Sequence, residues 1–363
     1  MDFDFSDDQK MLADQVGRFL STQCDPNVVR SVLDKPQRMA QPVWQGLADM
    51  GLVGTAIPES YGGTGAGYLE LCLVAQELGR HLAPVPFASS VYLVTEALLM
   101  FADESTKQTL LPKIASGEVK AAFAITEGLQ QNPIQDLKTT ITDQTINGEK
   151  LVVADGNVAD LFLVAARNGL ALVEKSELVN VTSVDSVDLS RDTATVVFNN
   201  AKATVLTLDT KSAVEQMYNR AAVLFAFEQL GGAQAALDMA VAYAQERFAF
   251  GRAIGSFQAI KHMLADMYVA MKLAENNCYY AAWALENNAV DLPLAAATAR
   301  VAATNAFQLC AKDNIQVHGG MGFTWEFDCH LFYRRSNFLS LVIGGLGEWE
   351  AKLVDNLSLQ EAS

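Results

Sequence analysis

The stretch Leu294–Asp313, LAAATARVAATNAFQLCAKD, carries almost no charge along its length. Its composition is helical, and a helix so poor in charge must bury most of its circumference. Such a helix needs neighbours on every side, inside a bundle or at an oligomer interface. The sequence supplies them. Helical patterning returns at Ser212, and Ala221–Arg247, Phe257–Asn288 and Glu348–Leu357 are likewise long, Ala-rich and poor in strand formers. Together the four predict a C-terminal helical bundle.

The chain before Ser212 reads differently in its two parts. Residues 1–118 are helical in pattern, with apolar residues at Met11, Leu12, Val16, Phe19 and Leu20 in the first segment. Val43–Met50, Tyr68–Leu82, Tyr92–Phe101 and Ser105–Ile114 repeat that pattern. Between them lie the Gly-rich connection Ile57–Tyr68 and the Pro-punctuated His81–Phe87. Ile57–Tyr68 lacks the strand–Gly–helix setting of a nucleotide turn, so it reads as a helix–helix connection, or as lining for a substrate channel.

From Lys120 the pattern changes to short β-branched or aromatic runs: Ala121–Thr126, Lys138–Thr142, Leu151–Val153, Asp160–Ala166, Leu170–Val173, Thr193–Phe198 and Ala203–Leu206. Turn signals at Asn147-Gly148, Asp155-Gly156, Asn168-Gly169 and Asn199-Asn200 divide them. Strands with no helices between them predict an antiparallel barrel or sandwich. The expected fold is therefore α+β: an N-terminal α-helical domain (1–118), a middle antiparallel β-barrel (119–208) and a C-terminal four-helix bundle (209–363).

Half of the 363 residues are hydrophobic, so the chain can bury a large core, while the net charge of −16 argues against nucleic-acid partners and anionic membrane surfaces. The N-terminus, MDFDFSDDQKMLADQV, has no apolar core of a secretory signal, and the apolar stretch Ala221–Ala244 is interrupted by polar residues. Five scattered cysteines suit a reducing cytoplasm, and neither they nor the four histidines fall in a metal-binding pattern.

Against that acidic background, Tyr243–Met267 stands out: YAQERFAFGRAIGSFQAIKHMLADM. A helical run ends at Arg247, a turn carries Phe248, Phe250, Gly251, Arg252 and Gly255, and a second helix begins near Ser256, a plausible N-cap. Arginine forks bind phosphate, aromatic rings stack on planar groups, and glycine lets a ligand approach the backbone. The same residues also suit a plain helical corner with exposed arginines. Gln316–Thr324, QVHGGMGFT, offers a second Gly-Gly turn with backbone N–H groups available to a ligand or another chain, or simply a tight helix end.

These two motifs, extended as ERFAFGRAIGSFQAIKHMLADM (246–267) and IQVHGGMGFTWEFDCHLFYRR (315–335), resemble the acyl-CoA dehydrogenase family of flavoenzymes. IPESYGGTGAGYLELCLVAQELGR (57–80), LLPKIASGE (110–118) and AAFAITE (121–127) add support in the expected order. The resemblance implies FAD shared across a subunit interface in a dimer or tetramer. Arg247 would hold the pyrophosphate, with Phe250 and Gln258 in contact with the cofactor. Gln316 and the Gly319-Gly320 turn would reach FAD bound mainly by a neighbouring subunit, and Ile125 and Thr126 would lie at the flavin ring. It further implies α,β-dehydrogenation of an acyl-CoA, with electrons passed to an electron-transferring flavoprotein.

The chain departs from the family pattern where proton abstraction is expected. The two positions at which the family places its carboxylate base correspond to Ile343 and Ala221. Glu228, two helical turns beyond Ala221, is the best in-chain substitute, although about 10 Å of helix rise separates them. Its more ordinary reading is a helix residue satisfied by a neighbouring arginine or a helix N-terminus. The family's Gly-Ser-rich loop after Thr126-Glu127 is replaced by Gly128–Asp136, and its Lys-x-Trp-Ile segment by LVVADG, 151–156. A retained cofactor motif with a missing base is similar to members that act as α2β2 heterotetramers on steroid or other bulky acyl-CoA thioesters. A non-catalytic assembly or thioester-binding subunit is the alternative.

Overall fold

The computed structural model describes residues 5–128 and 134–361. Six helices come first: α1 (Asp7–Gln23), α2 (Pro26–Ser31), α3 (Gln41–Asp49), α4 (Tyr68–Arg80), α5 (Glu96–Phe101) and α6 (Glu104–Ala115). Ala88–Thr95, directly before α5, winds as a π-helix. Eight strands follow: β1 (Ala121–Ala124), β2 (Thr140–Thr142), β3 (Thr145–Ala154), β4 (Leu161–Ala166), β5 (Gly169–Glu174), β6 (Val179–Ser183), β7 (Thr193–Lys202) and β8 (Thr204–Thr207). The chain continues with α7 (Thr210–Glu246), the short β9 (Phe248–Ala249) and β10 (Arg252–Ala253), α8 (Gln258–Glu286), α9 (Leu292–His318), α10 (Cys329–Leu339) and α11 (Leu346–Glu361). No helix among the described residues is long and apolar enough to cross a membrane.

Two compact units result. One takes the segment through Pro26, Cys72–Ala83 and the chain from Ala222 onward; the other takes Asn27–Leu71 and Pro84–Ala221.

In the second unit the strands form two four-stranded sheets, in the orders β1-β4-β5-β8 and β2-β3-β7-β6. The expected barrel is not closed, and one pair is not antiparallel. β1 and β4 are neighbours separated in sequence by two strands of the other sheet, and that crossover makes them run parallel. The inward faces of both sheets share one apolar core, in which Phe162 and Phe198 meet edge to face at 5.9 Å.

Two expected turns lie inside strands instead. Asn147-Gly148 is in β3 at a bulge, and Asn199-Asn200 is in β7. The side chains of Asn147 and Asn200 bond across the two strands: Asn147 Nδ2 donates to Asn200 Oδ1 at 2.6 Å, and Asn200 N donates to Asn147 Oδ1 at 2.8 Å. A cross-strand partner thus overrode the local turn preference. Neither β6 nor α10 was expected, since neither Val179–Ser183 nor Cys329–Leu339 shows a clean apolar period.

In the first unit, α9 buries most of its circumference, as its lack of charge predicts. Ala295, Ala296, Ala297, Ala299, Ala303, Ala306 and Phe307 are all enclosed. Its one interior cation, Arg300, is accommodated by Gln229 Oε1 at 2.6 Å and by the Leu339 carbonyl. α4 and α7 cross backbone to backbone in this unit. A Cβ on Gly79 would lie 1.8 Å from the Glu228 carbonyl oxygen, and one on Gly231 would lie 1.8 Å from that of Gln76. Only glycine permits this crossing, which offsets the roughly 1 kcal/mol that each glycine costs a helix.

Candidate functional site

In the first unit, α7 ends at Glu246 and the chain turns back through a miniature hairpin. β9 pairs with β10, and the two residues between them, Phe250 and Gly251, both have positive φ (54° and 79°). That is the geometry of a two-residue hairpin whose twist matches its strands. For Phe250 it is a strained conformation that the short loop imposes. Phe250 is 96% exposed, touching Phe257 edge to face at 6.1 Å. The Arg252 guanidinium lies over the Phe257 ring at 4.1 Å. The Ile254 N–H donates to the Arg247 carbonyl at 2.8 Å and closes the turn.

The Arg247 side chain is exposed, with no carboxylate partner among the described residues, and Gln258 is exposed at the start of α8. Ser256 does not cap that helix. Its hydroxyl donates to the Ala253 carbonyl at 2.7 Å, because a 3₁₀ turn over Ile254–Ser256 intervenes, and Phe257 takes the cap position.

The second motif lies at the end of α9. Gln316 is exposed on the last turn. Gly319 ends the helix at φ 61° and ψ −139°, a conformation open in practice only to glycine. A Cβ on Gly319 or on Gly320 would meet nothing within 4 Å, whereas one on Gly322 would lie 2.7 Å from the Ile315 carbonyl oxygen. Packing within the chain therefore explains glycine at 322 but not at 320.

The two motifs meet through Tyr243, one helical turn before Arg247. Its ring stacks on His318, immediately before the Gly-Gly turn, at 4.0 Å. His318 Nδ1 lies 2.8 Å from the Asn314 carbonyl, and burial holds this imidazole below its ordinary pKa.

Ile125 and Thr126 belong to the second unit, at the end of β1. The Ile125 carbonyl accepts from Lys150 Nζ at 3.1 Å, and the Thr126 carbonyl accepts from the Leu151 N–H at 2.7 Å. The Lys150 ammonium is fully buried and donates further to the Ala165 carbonyl (2.6 Å) and to Glu127 Oε1 (2.5 Å). Burial pushes its pKa down to about 8 although Glu127 works against the shift. Glu127 in turn accepts from the N–H groups of Lys138 and Thr139. The Gly128–Asp136 replacement loop lies in part, at 129–133, outside the described residues.

Sequence reading missed this lysine-centred clasp and the bulge beside it, where β3 loses register with β7 between Lys150 and Val153. There Val152 adopts φ 51° and is 56% exposed. A β-branched residue in that region is a genuine outlier, and bulges of this kind re-aim side chains. A lone lysine in an apolar strand was the available signal.

Neither position expected for a base offers a carboxylate. Ala221 and Ile343 are both enclosed, and the Ile343 carbonyl accepts from the Trp349 indole at 3.2 Å. Glu228 is 3% exposed, and its Oε1 lies 3.8 Å from Arg335 Nη1. Arg335 also donates to the Leu82 carbonyl at 3.1 Å. Burial lowers the Arg300 pKa to about 9, and the Glu228 charge opposes this.

Residues 6–118 match the family model described as acyl-CoA dehydrogenase, N-terminal domain, and residues 211–352 match that described as acyl-CoA dehydrogenase, C-terminal domain. The chain is 37% identical over 310 residues to acyl-CoA dehydrogenase FadE34 of Mycobacterium tuberculosis. That match covers 85% of this chain but only 41% of the relative, so the chain spans less than half of that relative's length. It is 30% identical over 332 residues to acyl-CoA dehydrogenase IpdE2 of the same organism, with 91% of each covered. Among solved structures, the ChsE4–ChsE5 complex from Mycobacterium tuberculosis superposes with a TM-score of 0.90 at 27% identity, over 99% of each chain.

Proposed function

Since the chain belongs to the acyl-CoA dehydrogenase family, we propose that it is an FAD-binding subunit of a hetero-oligomer that dehydrogenates bulky acyl-CoA thioesters, its partner supplying the catalytic base. One observation carries this reading: Arg247 and the Gly319-Gly320 turn face away from their own chain, while both base positions are apolar and Glu228 is held by Arg335.

The residues present fit the cofactor. Arg247 would hold the diphosphate as a bidentate cation, Phe250 would pack on a planar part, and Gln258 would add a polar contact. Gln316 and the Gly319-Gly320 backbone would reach FAD held mainly by a neighbouring subunit. Ile125 and Thr126 would border the ring. When bound, FAD supplies the hydride acceptor for the β-carbon, and an electron-transferring flavoprotein is the expected electron acceptor.

Glu228 is a structural partner for Arg335 in this reading. Its Oε1 is enclosed and faces the Arg335 guanidinium at 3.8 Å. Two relatives support the paired arrangement: the solved ChsE4–ChsE5 complex joins two different chains, and FadE34 is more than twice the length matched here.

Purification alone, and together with an acyl-CoA dehydrogenase-like chain that carries the family's carboxylate base, tests the proposal. Flavin and turnover should reach full values only in the complex. Full FAD content and turnover by the lone chain would sink it. The clasp at Lys150, which meets the needs of the Ile125 carbonyl internally, favours a second reading: a non-catalytic assembly or thioester-binding subunit. A complex whose flavin stays fully bound after Arg247→Ala would select that one.

A further inference from the structure

In the second unit a cavity of about 420 Å³ opens between α6 and the outer face of the β1-β4-β5-β8 sheet. Strand alternation explains its floor. Phe162, Ala171 and Val173 belong to the core shared by the two sheets, so Leu161 and Leu172 face the other way, toward the cavity. The register of β5 on β8 sets Leu172 opposite Thr204. Glu174 follows Leu172 by two residues and Lys202 precedes Thr204 by two, so both lie on this outer face at the same end of the sheet. Ala201 and Ala203 are core residues, which turns Lys202 outward between them. Lys175, just past β5, completes the charged rim.

These charges are not spent on one another. Elsewhere in the unit, lysines are paired: Lys120 with Asp160 at 2.7 Å and Lys150 with Glu127 at 2.5 Å. Lys202 and Glu174 line one cavity, yet neither has an ion-pair partner among the described residues. Lys175 Nζ donates to the Asn157 carbonyl at 3.1 Å, and two of its three N–H groups remain. On the α6 wall the start of the helix is already closed, because the Asp103 carboxylate accepts the Thr106 N–H at 2.8 Å. An anion here is therefore left to the two lysines. Two ammoniums, one carboxylate and the hydroxyls of Ser105 and Thr204 thus converge over a leucine floor, in a volume typical of small-molecule sites.

The cavity is separate from the strand edge at Ile125–Thr126. Ala121 pairs with Leu161 and Ala124 with Val164, so Ile125 lies past the far end of these pairs, about 13 Å along the strands from Leu161.

We propose that this cavity binds an organic phosphate that carries hydroxyl groups, a sugar phosphate or the ribose phosphate of a nucleotide. Lys175 and Lys202 hold the phosphate, and Glu174 accepts from the ligand's hydroxyls. A bare anion would leave Glu174 facing like charge, a cation would meet two ammoniums, and a neutral sugar would leave both ammoniums unused. The site does not depend on the acyl-CoA reading and can fail without it.

Isothermal titration calorimetry of the whole chain at low ionic strength tests this with ribose 5-phosphate, glucose 6-phosphate and AMP, against glucose and inorganic phosphate. At least one of the three organic phosphates should bind roughly tenfold or more tightly than both controls, and the tightest names the source. Lys202→Gln should weaken that probe roughly tenfold or more. Glu174→Gln should narrow its margin over inorganic phosphate. Thr109→Trp, at an exposed position on the α6 wall, should fill the cavity and abolish binding while the circular dichroism spectrum stays unchanged. The inference is overturned if no organic phosphate outbinds inorganic phosphate, or if Lys202→Gln or a folded Thr109→Trp leaves the affinity unchanged.

Discussion

The hairpin at Arg247 and the strand edge at Ile125–Glu127 meet their own chain in opposite ways. Arg247, Phe250, Gln258 and Gly320 are exposed, and nothing packed around Gly320 requires a glycine. At the strand edge, Lys150 occupies the Ile125 carbonyl, pairs with Glu127 and is itself enclosed. Where this chain satisfies its own polar groups, those groups have become structure. Where it leaves them outward, they remain available to a ligand. In the proposed reading, the residues assigned to the diphosphate stay outward, while the carbonyl assigned to the ring is taken up by a lysine.

The largest expected effect breaks the closed side. Lys150→Met would strand Glu127 and two carbonyls in the interior, at a cost of about 3–5 kcal/mol. A calorimetric melt should show the loss, and adding Glu127→Leu should recover most of it. An unchanged melting temperature for Lys150→Met would mean that the clasp does not hold the strand edge, and the contrast between the regions would disappear.

Arg247→Ala tests the open side and should have the reverse signature. An exposed side chain with no carboxylate partner among the described residues contributes little to folding, so stability should stay within about 0.5 kcal/mol. Flavin affinity of the complex should fall roughly 10- to 100-fold, the worth of a charge-assisted contact to phosphate. Absorbance of the dialysed complex reads the retention directly.

How much of this was visible in the sequence follows from the range over which each feature is encoded. The charge-free α9 announced its own burial, and Gly251, Gly319 and Gly320 marked the places where the backbone turns or opens. The strands were located by composition, but Asn147-Gly148 and Asn199-Asn200 read as turns because their bond to one another crosses 53 residues of sequence. The same limit hid the site features. Lys150 reaches Ala165 and Glu127 through the fold, and the Val152 bulge comes from register, which no local pattern records.

The glycines of the second motif refine the comparison with a smaller effect. Gly322→Ala would push a Cβ to 2.7 Å from the Ile315 carbonyl oxygen and should cost about 1–3 kcal/mol by denaturant unfolding. Gly320→Ala meets open space and should leave unfolding unchanged, but it should reduce flavin retention or assembly of the complex. Equal stability losses from both would assign the Gly-Gly turn to internal packing and remove it from the open side.

The smallest effect separates the regions by pH. Burial holds His318 below its unfolded value of about 6.5, against the bond to the Asn314 carbonyl. Below pH 6.5 the unfolded chain therefore binds more protons at this residue than the folded one. The stabilising contribution of the neutral ring is present above that pH and is lost as pH falls through the lowered value. Protonation would disturb the 4.0 Å stack on Tyr243, one turn before Arg247. At Glu127 burial works to raise the pKa, but the bonds from Lys150, Thr139 and Lys138 outweigh it and hold the carboxylate below its ordinary value. The strand edge should therefore stay paired over the range in which His318 titrates. Flavin retention, followed by fluorescence as pH is lowered, should decline before the β-sheet circular dichroism signal changes, and His318→Gln should flatten the early decline. Parallel loss of both signals, unaltered by His318→Gln, would show that acid acts on the closed and open regions alike.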